Sequence, residues 1–287
     1  MKKVFMVAAV MAVLSGGVHA ATLVTVNGEK IDSAVIDAQV QLITQKSNGQ
    51  IQDSQQLRNG LLERMAGQTV VVQEAKRLKL DQTSAYKDAL KQARAAAKEQ
   101  GADKQPTFKQ EFAQYERDLL NQAYAIYVIE QNPVAAAEVQ AFYTDFQKKY
   151  QGSEEVKLSE IFLSTEADAK AVVADLKKGQ KFADVAKAKS LDPRAKQSGG
   201  ENPNYVNLKD MQQNAPAVYA VISNLKKGQY SQPVNAQNVW GVFKLEDKRA
   251  ANIPAFETVQ ANIVNQLRNE RVNAATGQLF QKAKIEQ

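Results

Sequence analysis

The clearest periodicity in the chain lies in residues 108–126, where apolar side chains recur in steps of three and four. That spacing places the side chains on one stripe of an α-helix. Such a stripe can line a cofactor, but packing against neighbouring helices is its far commoner use. The stripe therefore predicts a buried helix within a helical unit; its residues are Phe108, Phe112, Tyr115, Leu119, Ala123 and Ile126.

The residues before this stripe predict a hairpin followed by helices. Asn27-Gly28 lies inside the alternating segment "ATLVTVNGEKI", which is a hairpin-turn signal. Asp32 or Ser33 can cap a helix that runs to about Lys46. Residues 53–80 predict one long helix or two short ones, and residues 84–100 predict another.

The end of the chain returns to a helical pattern. Phe256, Val259, Ile263 and Leu267 share one face, and no neighbouring segment offers that face a partner. We expect this last helix to pack back on the N-terminal helices, which makes the segment between them an insertion.

Residues 1–20 have the composition of a secretory signal peptide. A basic "MKK" precedes the apolar run "VFMVAAVMAVL" and the small-residue end "SGGVHA". No cysteine follows the apolar run, so a lipoprotein anchor is not expected, and no later segment has the length and apolarity of a membrane span. The sequence predicts a chain exported to the periplasm without a membrane anchor.

Charge and residue usage exclude several classes of function. Removal of Lys2 and Lys3 with the signal peptide leaves 35 basic against 31 acidic residues, a net charge near +4 without clustering, which does not favour nucleic-acid binding. The chain has no cysteine, and its one histidine is His19 in the signal peptide. Triad catalysis and His- or Cys-ligated metals are therefore excluded, and no cofactor or metal is expected.

The texture changes after residue 151. The segment "VKLSEIFLS" (156–164) alternates as a strand does, helical segments follow, and "NVWGVFKLEDKR" (238–249) reads as a closing strand. An order of β-α-α-β-α-β over about one hundred residues favours a compact α+β domain.

The phrase "LKKGQ" occurs twice, at 176–180 and at 225–229. Each copy follows an apolar, helix-like run, and a glycine just past a helix can adopt the left-handed cap conformation. Two similarly capped helices explain the repetition better than an internal duplication.

The middle segment carries "KFADVAKAKSLDPRAKQSGG", then "LKKGQYSQPV", then the strand with "VWGVFKL". This order, over about 154–249, resembles the parvulin-type peptidyl-prolyl isomerases. The whole chain, with its exported start, "VNGEKI" opening and helical segments, looks like the periplasmic foldase chaperones of the SurA/PrsA kind. In the parvulin family, the glycine of the first copy ends one helix and the glycine of the second copy ends another. The resemblance therefore implies that the two copies have different roles in one domain.

The resemblance implies a shallow apolar pocket for a proline ring, lined by two histidines, a Cys or Asp, a Met or Leu, and a Phe. The Cys/Asp position matches Asp192, and the Met position matches Met211. The first-strand histidine falls on Glu160 and the last-strand histidine on Gly241. The phenylalanine falls near Val218.

These matched positions imply the roles of the site residues. Asp192 and Glu160 are the candidate catalytic residues, although Asp192 in "LDP" equally suits a turn and Glu160 also suits a solvated strand position. The candidate substrate-binding residues are Met211, Val218, Tyr219, Trp240, Gly241 and Phe243.

The fold prediction is an α+β chain in which a helical chaperone domain, made of N-terminal helices plus a C-terminal helix, contains an inserted parvulin-like α+β domain. The predicted boundaries are 1–20 signal peptide, 21–152 N-terminal helical domain, 153–250 isomerase domain and 251–287 C-terminal helix.

The predicted function is a periplasmic peptidyl-prolyl cis-trans isomerase that assists the folding of exported proteins. Its expected partners are unfolded or proline-containing exported polypeptides. Because the family histidines are absent, a second hypothesis is a weakly active or inactive holdase that binds unfolded outer-membrane or secreted clients. An exported structural or adhesive protein is a third hypothesis, which no repetitive segment supports.

Overall fold

The computed structural model describes residues 21–236 and 238–287. The predicted signal peptide, residues 1–20, lies outside the described residues. Two compact units are present: one holds the chain up to Val134 together with Asn265–Gln287, and the other is Ala135–Val264. Within the described residues, none of the helices combines the length and the apolarity needed to cross a membrane.

A small sheet in the first unit pairs the first strand of the described residues with the last. Strand β1 (Thr22–Val26) pairs antiparallel with β2 (Glu29–Asp32), and β7 (Ile285–Glu286) pairs with the other edge of β1. The predicted hairpin is confirmed: Asn27 and Gly28 both have positive φ, 49° and 88°, as a two-residue turn of this kind requires.

The helices of the first unit follow the predicted positions closely. The segment 53–80 holds one long helix, α2, whose first turn is capped by the Ser54 hydroxyl accepting from the Leu57 amide at 3.2 Å. The helices are α1 (Ser33–Lys46), α2 (Gln55–Arg77), α3 (Ser84–Glu99) and α4 (Phe108–Gln131), with short 3₁₀ turns at Leu80–Gln82 and Ala102–Lys104.

The buried face of α4 differs from the predicted stripe. Leu120, Tyr124 and Val128 are the buried residues of this helix, and they pack with the α2 residues Val71, Val72 and Ala75. Tyr115 is 39% exposed and Ile126 is 49% exposed. The prediction that this stripe is buried is wrong, because α4 carries apolar residues on two faces and turns the other one toward α2.

The second unit is built on a four-stranded antiparallel sheet in the order β4-β3-β6-β5. Strand β3 lies in the middle and pairs with β6 along its whole length. The strands are β3 (Glu154–Leu163), β4 (Glu201–Asn207), β5 (Val234–Ala236) and β6 (Val239–Ala250).

Helices cover both faces of this sheet. One face packs against α6 and α7 through Ile161, Leu163 and Val242, and we call this set the α6–α7 cluster. The helices of the unit are α5 (Ala136–Tyr150), α6 (Glu166–Lys177), α7 (Phe182–Lys189), α8 (Ala195–Ser198), α9 (Leu208–Asn214) and α10 (Pro216–Ile222).

The last helix, α11 (Phe256–Lys282), runs from the second unit into the first. In the first unit its residues Val272, Ala275 and Leu279 pack against the buried residues of α2 and α4. The mixed α+β fold class, with helices from both ends of the chain in one unit, is confirmed. The unit boundaries fall outside the predicted limits 153–250, since α5 belongs to the second unit; the four-part domain division stays a prediction.

The two copies of "LKKGQ" have different local structures. Gly179, with φ of 90°, follows the C-cap residue Lys178 and terminates α6 as predicted. Gly228, with φ of 85°, instead lies in a turn closed by the Gln229 amide donating to the Lys226 carbonyl at 2.9 Å. Helix α10 has already ended at Ile222. The prediction of a helix cap is therefore wrong for the second copy, where a glycine is needed for a tight turn.

Candidate functional site

The candidate site is built on the sheet face opposite the α6–α7 cluster. Side chains alternate along a strand, and residues paired across antiparallel strands point to the same face. Glu160 pairs with Phe243, and Phe162 pairs with Gly241. Four of the positions that matter here therefore share one face of the sheet.

Helices α9 and α10 cover this face. Met211 and Val218 pack with Phe243 in one apolar group, which we call the α9–α10 cluster. These three residues are 6%, 8% and 3% exposed, so they form the interior of the cluster more than the walls of an open recess. Phe162, Ala215 and Tyr219 pack against this cluster and are only partly buried.

Gly241 allows the ring of Phe243 to take its position. A Cβ atom at residue 241 would lie 2.6 Å from two ring atoms of Phe243, closer than real contacts permit. The Phe243 ring in turn meets the Phe162 ring edge-on, with centroids 6.0 Å apart and planes at 82°. The position of the family histidine is thus filled by an aromatic ring from the same strand.

Trp240 lies apart from the other predicted wall residues. It pairs with Leu163, and its side chain packs against the α6–α7 cluster on the opposite face of the sheet. We predicted that Trp240 lines the same recess as Met211, and the structure corrects this. Consecutive residues of a strand point to opposite faces, so Trp240 and Gly241 cannot both face α9.

Glu160 is a half-buried carboxylate on the face of the α9–α10 cluster. Burial raises the pKa of this carboxyl, and the nearby negative charge of Asp192 raises it further, while a hydrogen bond with Asn202 and the charge of Arg194 act in the opposite direction. The net shift of the pKa is upward. Glu160 is therefore easier to protonate than an ordinary glutamate.

The backbone of Glu160 is held by a glycine. Its amide donates to the Gly200 carbonyl at 2.8 Å. Gly200 has φ of 85°, and a Cβ atom there would lie 2.5 Å from the Glu160 carbonyl oxygen. Only glycine permits this close approach of the two backbones, which places the turn between α8 and β4 along the edge of β3.

Asp192 lies in the loop between α7 and α8, beside Phe162. The Leu191 amide donates to the Phe162 carbonyl at 2.8 Å, which fixes the loop to the strand. The Asp192 carboxylate accepts from the Arg194 amide at 3.0 Å and from the Arg194 guanidinium at 2.9 Å. These hydrogen bonds lower the pKa of Asp192, so it stays ionised. Asp192 therefore forms the turn and also lies near Glu160.

The structure thus brings Glu160, Asp192, Gly241 and the α9–α10 cluster to one region and excludes Trp240. Phe162, Arg194 and Asn202 belong to this region without having been predicted from the sequence. Phe162 had a usable signal, because it stands two residues after Glu160 on the same strand face. Arg194 and Asn202 gave no comparable signal, since a charged loop residue and an asparagine after two glycines are ordinary surface features.

Comparisons with known proteins agree with this arrangement. Residues 134–261 match the family of PPIC-type PPIase domains. The chain is similar to a probable parvulin-type peptidyl-prolyl cis-trans isomerase of Bordetella pertussis, with 29% identity covering all of both chains. It is also similar to the foldase protein PrsA of Clostridium kluyveri, with 27% identity over 92% of this chain and 86% of that protein.

Among solved structures, the peptidylprolyl isomerase PrsA of Bacillus anthracis is 24% identical, covers 77% of this chain and 94% of its own, and has a TM-score of 0.41. The sheet of the second unit, its covering helices and the matched residues coincide in one segment. Residues 134–261 of this chain therefore form a parvulin domain of the PPIC type, the domain of peptidyl-prolyl cis-trans isomerases.

Proposed function

We propose that the chain is an exported foldase that catalyses cis–trans isomerisation of X-Pro bonds in unfolded polypeptides at the face of the α9–α10 cluster. The observation that carries the proposal is the placement of Glu160 and Asp192 at the edge of an apolar face that includes Phe162. A proline ring needs an apolar contact, and the carbonyl before it needs a polar environment that changes as the amide twists.

The chemistry asks little of the site. The barrier to rotation is about 18–20 kcal/mol and comes from amide resonance, and no covalent bond is broken. A site accelerates rotation when it binds the twisted amide more tightly than the planar one. Apolar contact with Phe162 and Tyr219 can hold the ring and exclude water from the bond.

Glu160 is the group best suited to act on the twisted amide. Twisting localises the lone pair on the prolyl nitrogen, which then accepts a hydrogen bond that the planar amide cannot accept. A carboxyl whose pKa is raised by burial can donate that hydrogen bond when protonated. Asp192 stays ionised against Arg194 and contributes a fixed negative charge nearby.

A separate surface on the first unit suits the holding of clients. A groove of about 490 Å³ is lined by apolar and aromatic side chains of α3 and α4, among them Ala89, Leu119 and Ala123 with the exposed Tyr115 and Ile126. Exposed apolar surface of this kind is typical of sites that bind other polypeptides. In the second hypothesis, a holdase with little or no isomerase activity, this groove and the parvulin-like domain hold unfolded clients without catalysis.

Two assays separate these possibilities. The first follows refolding of a small protein whose slow phase is a prolyl isomerisation, which takes tens of seconds without catalysis. We expect the chain to accelerate that phase, and E160Q to reduce the acceleration with little effect on client binding. No acceleration over buffer would contradict the isomerase proposal.

The second assay follows light scattering by an aggregating unfolded client. Replacement of the exposed groove residues, Y115S with I126S, is expected to weaken the suppression of aggregation and to leave prolyl isomerisation unchanged. As a control, D145N changes a charged residue of α5 whose side chain is 80% exposed. Equal suppression by the groove variant and the wild type would exclude this groove as the client surface.

Export and cleavage are part of the proposal. The basic, apolar and small-residue segments of residues 1–20 support a periplasmic location. Determination of the N-terminal residue of the protein recovered from the periplasmic fraction tests it, with Ala21 as the expected result.

A further inference from the structure

Helix α9 is too short to hold its own position. It spans seven residues, Leu208–Asn214, and an isolated helix of that length is not stable in water. Its buried residues Leu208 and Met211 belong to the α9–α10 cluster. Whatever fixes the first turn of α9 therefore also fixes Met211 at the candidate isomerase site.

The C-terminal end of α5 makes direct contact with that first turn. The Tyr150 hydroxyl lies 2.9 and 2.7 Å from the two carboxylate oxygens of Asp210. The Lys149 ammonium donates to Asp210 at 2.7 Å, and the Lys209 ammonium donates to the Lys149 carbonyl at 2.6 Å. Asp210 immediately precedes Met211, so these contacts act one residue from the site.

A second set of hydrogen bonds joins the same two elements through the connecting residues. The Asn207 side chain caps α9 by accepting from the Lys209 amide at 2.9 Å, and it donates to the Ser153 hydroxyl at 2.8 Å. The Ser153 hydroxyl in turn donates to the Tyr150 carbonyl at 2.7 Å. The start of α9 is thus tied to the end of α5 from two directions.

The charge state of Asp210 maintains this arrangement at neutral pH. Burial raises the pKa of Asp210, but the hydrogen bonds from Lys149 and Tyr150 outweigh it, and the net shift is downward. The ring of Tyr150 is itself fixed against Phe146, with centroids 4.8 Å apart. The hydroxyl that reaches Asp210 therefore sits on a side chain with little freedom.

We infer that Tyr150 and Asp210 are positioning residues for the isomerase site: the end of α5 sets the position of α9, and α9 sets the position of Met211. This inference rests on the proposed function for its kinetic consequence only. Helix α5 then contributes to the geometry of the isomerase site. A change at its C-terminal end shifts α9 and alters how Met211 is placed toward the substrate.

A methyl-NMR experiment tests the inference directly. Residues 21–287 contain only two methionines, Met65 and Met211. Met65 lies in the first unit and serves as an internal reference. In ¹³C-methyl-methionine-labelled protein, Y150F is expected to shift the Met211 resonance and leave that of Met65 in place, with M65L and M211L giving the assignment.

A matched variant controls for general loss of stability. D175N removes the negative charge from the 2.7 Å ion pair between Lys189 and Asp175, which ties α6 to α7 and does not touch α9. We expect D175N to leave the Met211 resonance unchanged even where it lowers the unfolding temperature as much as Y150F. An unchanged Met211 resonance in Y150F, or an equal shift in D175N, would overturn the inference.

Kinetics give the second readout. For a prolyl peptide, Y150F is expected to lower kcat/KM by about three- to tenfold, the size expected for one or two lost hydrogen bonds. D210N retains an oxygen that accepts from Tyr150 and is expected to lose less. If the wild type accelerates isomerisation and Y150F is equally fast, the positioning role fails while the proposed function stands. If the wild type shows no acceleration, the proposed function fails and the methyl spectrum alone decides the positioning role.

Discussion

The ring of Phe243 occupies the space that any side chain at residue 241 would need, with 2.6 Å between two ring atoms and a Cβ atom at that position. The two residues stand on the same face of β6, and this close approach brings Phe243 into the α9–α10 cluster beside Phe162. The absence of the family histidine at residue 241 and the presence of the buried ring are therefore one structural feature.

This relationship predicts the effect of a single added methyl group. G241A is expected to destabilise the protein by about 1–3 kcal/mol, because overpacking in a filled core displaces a buried ring. F243L should relieve that cost, since leucine lacks the two ring atoms at 2.6 Å and retains only atoms near the one at 3.6 Å. Urea unfolding of both single variants and the double variant measures the coupling.

The matched control for G241A is G277A in α11, where nothing lies within 4 Å of an added Cβ atom. An alanine in a helix interior is expected to stabilise by about 0.5–1 kcal/mol. Equal effects of the two substitutions would contradict the steric account.

A second pair of glycines separates backbone strain from close contact. Gly200 and Gly228 both have φ of 85°, but only Gly200 approaches another backbone, the Glu160 carbonyl. Both alanine variants carry the cost of positive φ, about 1 kcal/mol. G200A should lose more stability than G228A, by at least about 1 kcal/mol, and should also impair isomerisation because it moves Glu160. Chemical denaturation and the peptide assay report the two effects.

The raised pKa of Glu160 predicts a stability that depends on pH. Burial raises the folded-state pKa of this carboxyl, so the protonated form stabilises the fold. This contribution to the free energy of unfolding is fully present below the unfolded-state pKa of about 4.3. It is lost as the pH rises through the folded-state pKa. E160Q should therefore be more stable than the wild type at pH 7 and no more stable at pH 4. Denaturant midpoints at the two pH values check this; an equal difference at both would show that Glu160 is not buried as described.

The lowered pKa of Asp247 predicts a stability that falls as the pH falls, the opposite of the effect expected for Glu160. Hydrogen bonds from Lys227 and from Tyr205 lower the pKa of this carboxyl to about 2. Its contribution is present above the ordinary value of 3.8 and is lost as pH falls through about 2. D247N should reduce the loss of stability between those pH values, measured by thermal unfolding. An acid profile unchanged from that of the wild type would exclude this role.

Much of the fold can be predicted from the sequence because local signals decide it. Asn27-Gly28 requires positive φ at both positions and produces a hairpin, and Gly179 ends α6 as a cap glycine does. The second "LKKGQ" has the same letters, but its Gly228 amide donates to the Leu245 carbonyl on β6. The contact of Gly228 with β6, and not the local sequence, therefore determines the turn at the second copy.

The errors arise where two faces compete. Helix α4 has apolar residues on two sides, and the side that packs on α2, with Leu120, Tyr124 and Val128, is set by tertiary contact. Trp240 is a different case: strict alternation along β6 already separates it from Gly241, so the strand pattern alone predicts its place. The bonds of Tyr150 to Asp210 join residues sixty positions apart, and no local pattern indicates them.

The most direct test of the account is exchange spectroscopy on a short X-Pro peptide mixed with residues 21–287. The account predicts cis–trans exchange faster than in buffer, reduced in F162A and in E160Q and retained in W240F, since Trp240 lies on the other sheet face. Exchange at the buffer rate, or a loss in W240F as large as in F162A, would contradict the assignment of the site.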